Sequence, residues 1–127
     1  MALEVNTAIR SPGIFIVAPI GSIDGTDQGL LQEKIDSVLK QNPDVIIFDM
    51  EHVDYLNSMG IRILVKTKNA MKQRGGKIAF INLQPRIKKV FDILNALPAF
   101  KVFANLQEFD DYLWGELKKM DDKINDN

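Results

Sequence analysis

The sequence predicts a small α/β domain with a mixed β-sheet that is opened by an N-terminal hairpin and carries about four helices. Two apolar segments at the start of the chain are separated by the turn-forming residues Arg10-Ser11-Pro12-Gly13, as in a β-hairpin. Further along, short apolar runs alternate with longer segments in which apolar residues recur every three or four positions. Strands separated by helices need crossover connections, which are right-handed and give a mainly parallel sheet.

The first elements are the two hairpin strands and a helix. Leu3–Ile9 alternates apolar and polar residues, and Gly13–Ile20 is a denser apolar run, which together predict the hairpin. From Asp27 to Gln41 the apolar residues take helical spacing, with Thr26 or Asp27 as the N-cap. The first crossover helix is therefore expected directly after the hairpin.

The middle of the chain predicts the central strand and a second helix. Val45–Phe48 is a continuous apolar run, which is typical of a strand covered on both faces. Met59–Arg74 returns to helical spacing, with Ile61, Leu64, Val65 and Met71 toward the sheet. Gly75-Gly76 then ends this helix, because glycine adopts the left-handed conformation easily.

The last elements repeat the strand-helix alternation. Lys77–Asn82 is an apolar strand, and Pro85 begins a helix whose apolar residues extend to Leu94. Phe100–Phe103 predicts a short strand, and Asn105-Leu106-Gln107-Glu108 resembles a capping box at the start of a final helix. We expect one domain over residues 1–120 and a polar, frayed tail over 121–127.

The charge and the cysteine content exclude several classes of function. The chain has 127 residues, with 16 Lys and Arg against 17 Asp and Glu and a formal net charge of -1. So small a charge gives no general attraction for nucleic acid or an anionic membrane. Cysteine is absent and His52 is the one histidine, which excludes thiol nucleophiles, disulfides and clustered zinc ligands. We expect no cofactor, no metal site, and no direct contact with nucleic acid or membrane.

The N-terminus does not have the pattern of a secretion signal. Glu4 and Asn6 interrupt its apolar residues, and no stretch of the chain approaches the roughly 18 apolar residues of a membrane span. These features, with the absence of cysteine, fit a cytoplasmic protein. The sequence is compatible with a monomer or a weak dimer.

The segment from Phe48 to Gly60 is the candidate site, because it is polar and joins the central strand to the second helix. Ser58 precedes the helical pattern, so one interpretation is a plain N-cap serine. In the other, a phosphate on Ser58 adds about -1.5 to -2 charges beside the favourable helix dipole. Such a phosphate would repel an acidic partner and the acidic residues expected at the same edge of the sheet, which are Asp24, Asp49, Glu51 and Asp54.

At this point the residues resemble a known family, the STAS domain, found in bacterial anti-sigma factor antagonists and at the cytoplasmic ends of sulphate transporters. Gly21-Ser22-Ile23-Asp24 resembles the family's Gly-x-Leu/Ile-Asp turn, and Val45–Met50 its buried central strand. Asn57-Ser58-Met59-Gly60 is similar to its Asp-Ser-Ser/Thr/Ala-Gly loop. The resemblance covers nearly the whole chain.

The resemblance implies a non-enzymatic regulator of bacterial transcription that works by partner switching. By resemblance, Ser58 is the phosphorylated serine. The unphosphorylated form binds an anti-sigma factor that is also a serine kinase, and a PP2C-type phosphatase removes the phosphate. The expected partner surface consists of Asp24, Asn57, Met59, Gly60, Ile61, Arg62 and Lys66.

Two positions depart from the family pattern and keep alternatives open. Asn57 stands where the family has aspartate, and Met59 stands where it has a small residue. A STAS scaffold that binds its partner without phosphorylation is therefore one alternative. A receiver-like domain phosphorylated on Asp49 is a second, although Lys101 lies inside a predicted strand rather than after it. A hydrolase using Ser58 and His52 is a third, but it lacks the Gly-x-Ser-x-Gly elbow.

Overall fold

The fold opens with the predicted β-hairpin. The computed structural model describes residues 3–24, 28–93 and 100–125. Strands β1 (Glu4–Ser11) and β2 (Ile14–Ile23) pair antiparallel around a turn in which Gly13 has a φ of 80°. Strand β2 continues to Ile23, three residues further than the apolar run predicts. The hairpin prediction is confirmed, and the longer β2 reaches the site described below.

A mixed sheet forms around β2. The other strands are β3 (Val45–Asp49), β4 (Val53–Leu56), β5 (Lys77–Ile81) and β6 (Lys101–Phe103). Among the described residues the strand order is β1-β2-β3-β5-β6, and β4 pairs with the end of β2 beside this path. All pairs except the hairpin are parallel. The carboxyl ends of β2, β3, β5 and β6 therefore lie along one edge of the sheet, as predicted for crossover connections.

The described residues contain four helices, which confirms the predicted number. They are α1 (Gln28–Leu39), α2 (Ser58–Gln73), α3 (Pro85–Ile93) and α4 (Leu106–Asn125). The predicted N-cap of α1, Thr26 or Asp27, and the predicted end of α3 at Leu94 lie outside the described residues. None of the helices in the described ranges is long and apolar enough to span a bilayer.

The capping box predicted for α4 is present in a modified form. The Glu108 amide donates to Asn105 Oδ1 at 2.9 Å, which is the expected cap. The Glu108 carboxylate accepts in return from the Ala104 amide at 3.3 Å, one residue before the usual position. Helix α4 then continues to Asn125, into the segment that the sequence predicts to be a polar tail.

Apolar side chains fill both faces of the sheet. Ile46 and Phe48 of β3 belong to the larger cluster with α1, α2 and α3. Ile47 points to the other face, where it packs in a cluster with Phe109 of α4. All three β3 residues are fully buried, which confirms that the Val45–Phe48 run is a central strand covered on both sides.

Strand β4 is the element that the sequence did not predict. The segment from Phe48 to Gly60 was expected to be a loop, but Val53–Leu56 pairs with the last residues of β2. The strand has four residues with the burial order buried, exposed, exposed, buried, so it lacks the alternation that marks a half-buried strand. Because β4 is fixed to β2, the residues that follow it are held beside Ile23 and Asp24.

Candidate functional site

Asn57, and not Ser58, caps helix α2. Its Oδ1 accepts from the amides of Met59 at 3.0 Å and Gly60 at 3.2 Å, and its backbone is extended, with a φ of -116°. The interpretation of Ser58 as the N-cap is therefore wrong, because the amide oxygen of the preceding residue already satisfies these donors. Ser58 is the first residue of α2 and is exposed, and its hydroxyl has no hydrogen-bond partner among the described residues.

The same asparagine joins the start of α2 to the end of β2. Its Nδ2 donates to the Asp24 carbonyl at 3.0 Å, and its backbone amide donates to the Ile23 carbonyl at 3.3 Å. Asp24 and Asn57, which are 33 positions apart in the sequence, are thereby brought into direct contact. These two residues, both assigned to the expected partner surface, thus lie side by side at the end of β2.

Gly60 permits the close approach of α2 to β2. A Cβ atom at this position would lie 2.5 Å from the Ile23 carbonyl oxygen and 2.5 Å from Leu56 Cδ1. Gly60 is buried, and Ile61 is 9% exposed. Both were predicted to lie on the partner surface, and the structure places their side-chain positions toward the core, beneath the exposed residues at the start of α2.

The exposed face of α2 is basic. Helix α2 contains four basic residues and no acidic one. Arg62 and Lys66 are exposed and make no ion pair within the described part of the chain. They lie along an open groove between α1 and α2, which we call the α1–α2 groove; its lining residues are Gly29, Gln32, Met59, Arg62, Ile63 and Lys66. Three of the seven predicted surface residues, Met59, Arg62 and Lys66, therefore line one groove.

Tyr55 is a candidate surface residue that the sequence interpretation missed. It lies on β4 opposite Ser22 of β2, three positions before Ser58, and is 48% exposed. Met59, on the other side of Ser58, is 39% exposed. Exposed aromatic and methionine side chains are frequent in protein interfaces. Recognising the β-branched and aromatic content of Val53–Leu56 as a strand would have placed Tyr55 at the site.

The acidic residues of the edge are partly engaged in the fold. Asp49 Oδ1 accepts from Asn82 Nδ2 at 3.1 Å and from the Glu51 amide at 3.2 Å. Asp54 accepts from the Ser22 hydroxyl at 3.1 Å. These bonds connect neighbouring strand ends, so the carboxylates have structural roles. In the described ranges, no three metal-binding side chains form a cluster.

His52 is not arranged as a catalytic base for Ser58. Its Nε2 lies 3.9 Å from Glu51 Oε2, and its side chain is 65% exposed. No hydrogen bond joins His52 to Ser58 among the described residues. A nucleophile and its base need to be within hydrogen-bond reach, so the site does not have the arrangement of a serine hydrolase.

Comparisons with known proteins agree with this fold. A family model described as the STAS domain matches residues 7–109. The anti-sigma-B factor antagonist of Bacillus subtilis is 33% identical over 73 residues, which cover 58% of this chain and 66% of that protein. The crystal structure of an anti-sigma factor antagonist from Mycobacterium paratuberculosis is similar with a TM-score of 0.76 and 21% identity, covering 90% of this chain and 93% of that one.

A second solved structure extends the comparison. The anti-sigma factor antagonist SpoIIAA in its unphosphorylated form has a TM-score of 0.74 and 18% identity, with 88% of this chain and 97% of that chain covered. Its phosphorylated form from Bacillus is similar with a TM-score of 0.67. At these identities the structural likeness shows the fold, and it confirms the predicted α/β architecture.

Proposed function

The chain belongs to the STAS domain family, and from this premise we propose that it is an anti-sigma factor antagonist that works by partner switching. Relatives and structural neighbours carry that name. In the proposed cycle the chain binds an anti-sigma factor kinase while Ser58 is unmodified and leaves it when Ser58 is phosphorylated. A PP2C-type phosphatase returns it to the binding form. The chain itself catalyses no reaction in this cycle, which takes place in the cytoplasm, where ATP and sigma factors are found.

The accessibility of Ser58 is the observation that carries this proposal. Its hydroxyl is exposed and free of hydrogen bonds within the described residues, because Asn57 supplies the helix cap. A kinase can therefore reach Ser58 without breaking the start of α2. A phosphate there stands at the positive end of the helix dipole, where a negative charge is favourable. Modification changes the charge of the surface and preserves the fold.

Phosphate mapping tests the assignment of Ser58. The chain is incubated with ATP and the kinase that co-purifies with it, and the modified residue is located by mass spectrometry. We expect phosphate on Ser58 and none in the Ser58→Ala variant. Phosphate on another residue, or none with a kinase that binds the chain, contradicts the assignment.

A binding titration tests the switch itself. Ser58→Asp is expected to weaken binding to the anti-sigma factor, because it places a negative charge at the contact. Ser58→Ala is expected to bind nearly as well as the wild type and to be insensitive to the kinase. Ser11→Asp is the matched control, since it adds the same charge at the end of β1, in the hairpin. Equal affinities for the wild type and Ser58→Asp contradict the electrostatic mechanism.

A STAS scaffold that is not phosphorylated is the second candidate function. Asn57 favours it, because this residue supplies a cap and a structural hydrogen bond but no charge at the position where the family has aspartate. The phosphorylated switch and the scaffold differ in whether a bound partner transfers phosphate to the chain in the mapping experiment. A partner that binds tightly but transfers no phosphate supports the scaffold.

A further inference from the structure

We infer that Arg62 binds a carboxylate of the partner when Ser58 is unmodified and binds the phosphate when Ser58 is phosphorylated. The partner is accordingly a protein that presents an acidic segment to the α1–α2 groove. This inference rests on the proposed phosphorylation of Ser58 and names the residue through which the phosphate acts.

The positions of Ser58 and Arg62 on α2 support the contact. They are four residues apart within one helix, and both are exposed. Residues at this spacing are neighbours on a helix surface, with about 5–6 Å between their Cβ atoms. The guanidinium has a planar set of donors that matches two oxygens of a phosphate or a carboxylate. A phosphate on Ser58 is therefore within reach of Arg62 without any change in the backbone.

The surroundings of Arg62 leave it available for either ligand. The first turn of α2 contains no acidic residue, and the cap residue Asn57 is uncharged. Arg62 has no ion pair or side-chain hydrogen bond in the part of the chain that the structure describes. On α1, Glu33 and Asp36 line a neighbouring cavity rather than the α1–α2 groove, and Asp36 accepts from Gln32 Nε2 at 2.9 Å.

The charge of the groove indicates the chemistry of the partner. Arg62 and Lys66 supply two positive charges along one wall, and none of the lining residues within the described part of the chain is acidic. Met59 and Ile63 add apolar surface between α1 and α2. An acidic segment with an apolar side chain is complementary to this lining, since opposite charges across an interface determine which partners are accepted.

Carboxylate and phosphate are then alternative ligands of one guanidinium. Phosphorylation acts twice: it adds negative charge beside the acidic partner, and it occupies the side chain that the partner needs. Lys66 is eight residues from Ser58, two helical turns away, so it contributes charge to the groove but does not reach the phosphate.

The contact with phosphate is tested without any kinase or partner. Phosphoserine is incorporated at position 58 during translation, and the Arg62 Nε–H signal is followed by NMR in the modified and unmodified chains. We expect this signal to shift on modification, and the Arg74 signal, from the other end of α2, to stay in place. An unchanged Arg62 signal overturns the inference. Because the phosphate is installed directly, this result is independent of whether a kinase modifies Ser58.

Binding of the co-purified anti-sigma factor tests the exchange of ligands. Arg62→Gln is expected to weaken binding of the unmodified chain about tenfold and to leave the weak binding of the phosphoserine form nearly unchanged. The affinity of the unmodified chain divided by that of the phosphoserine chain therefore falls about tenfold. Lys66→Gln is the matched control, since it removes one charge from the same groove and is expected to weaken both forms equally. If the ratio of these two affinities is the same in Arg62→Gln as in the wild type, the inference is wrong.

Discussion

Asn57 combines two contacts that no other side chain of its size provides together. Its Oδ1 caps α2, and its Nδ2 donates to the Asp24 carbonyl. We expect Asn57→Ala to lower the free energy of unfolding by about 1 kcal/mol, since the cap is lost. Asn57→Asp keeps an acceptor for the cap and loses the donor to Asp24, so its stability should fall between those of the wild type and Asn57→Ala. Urea unfolding of the three proteins checks this order, and equal stability of Asn57→Ala and the wild type contradicts the capping role.

Gly60 is required by the distance between α2 and β2. A methyl group here meets the Ile23 carbonyl and Leu56, so we expect Gly60→Ala to destabilise the fold by about 1–3 kcal/mol. Gly115→Ala in α4 is the matched control, because nothing lies within 4 Å of the added methyl group. Alanine is the better helix former, so this control should stabilise the chain by up to about 1 kcal/mol. Thermal unfolding of both variants measures the difference, and similar effects of the two substitutions contradict the close approach.

At the scale of elements, the sequence predicts those parts of the fold that have a long and regular pattern. Helix α2 and strand β3 contain enough apolar residues at one spacing to be predicted nearly to their ends. Strand β4 could not be predicted in this way, because its four residues pair only with the last residues of β2. The position of the cap was missed for a related reason: Asn57 and Ser58 are both good caps, and the backbone decides between them.

The same edge of the sheet is held together by Asn82, at the end of β5. Its backbone amide donates to the Ala104 carbonyl, which follows β6, at 3.2 Å. Its side-chain Nδ2 donates to Asp49 at the end of β3. Its φ of 59° lies in the left-handed region, which asparagine tolerates better than most residues. One residue therefore connects the ends of three parallel strands.

This role gives a prediction with two substitutions. Asn82→Ala loses the bond to Asp49 and strains the backbone, and we expect it to destabilise the chain by about 2 kcal/mol. Asn82→Gly loses the same bond but adopts a positive φ freely, so the expected loss is about 1 kcal/mol. Chemical unfolding separates the two effects. If Asn82→Gly is no more stable than Asn82→Ala, backbone strain does not contribute to the destabilisation by alanine.

For the molecule as a whole, the net charge of -1 conceals an uneven distribution. Helix α2 has four basic residues and no acidic one, whereas α4 has six acidic residues and three basic ones. The composition alone excludes a strong field over the entire surface, and it does not show that positive charge is concentrated beside Ser58. The helical spacing of Met59–Arg74 already places Arg62 and Lys66 beside Ser58, and the structure adds that both line the α1–α2 groove. This concentration of positive charge is the property that makes an acidic partner compatible with an acidic chain.

This distribution predicts how association depends on salt. Charges at a contact accelerate encounter with an oppositely charged partner, and dissolved ions screen them over about 8–10 Å. We expect the association rate with the anti-sigma factor to fall as ionic strength rises, although the chain is negative overall. The double variant Arg62→Gln/Lys66→Gln should flatten this dependence, measured by stopped-flow mixing over a series of salt concentrations.

The control for this experiment has the same net charge as the double variant. Lys77 and Lys118 are exposed and lie at the start of β5 and on α4, away from the α1–α2 groove. Lys77→Gln/Lys118→Gln should therefore keep the salt dependence of the wild type. Should both double variants flatten it equally, net charge governs encounter, and the basic face of α2 has no special part in it. If only Arg62→Gln/Lys66→Gln flattens the salt dependence, the encounter takes place at α2. A phosphate on Ser58, with about -1.5 to -2 charges, would then cancel most of the attraction that Arg62 and Lys66 provide.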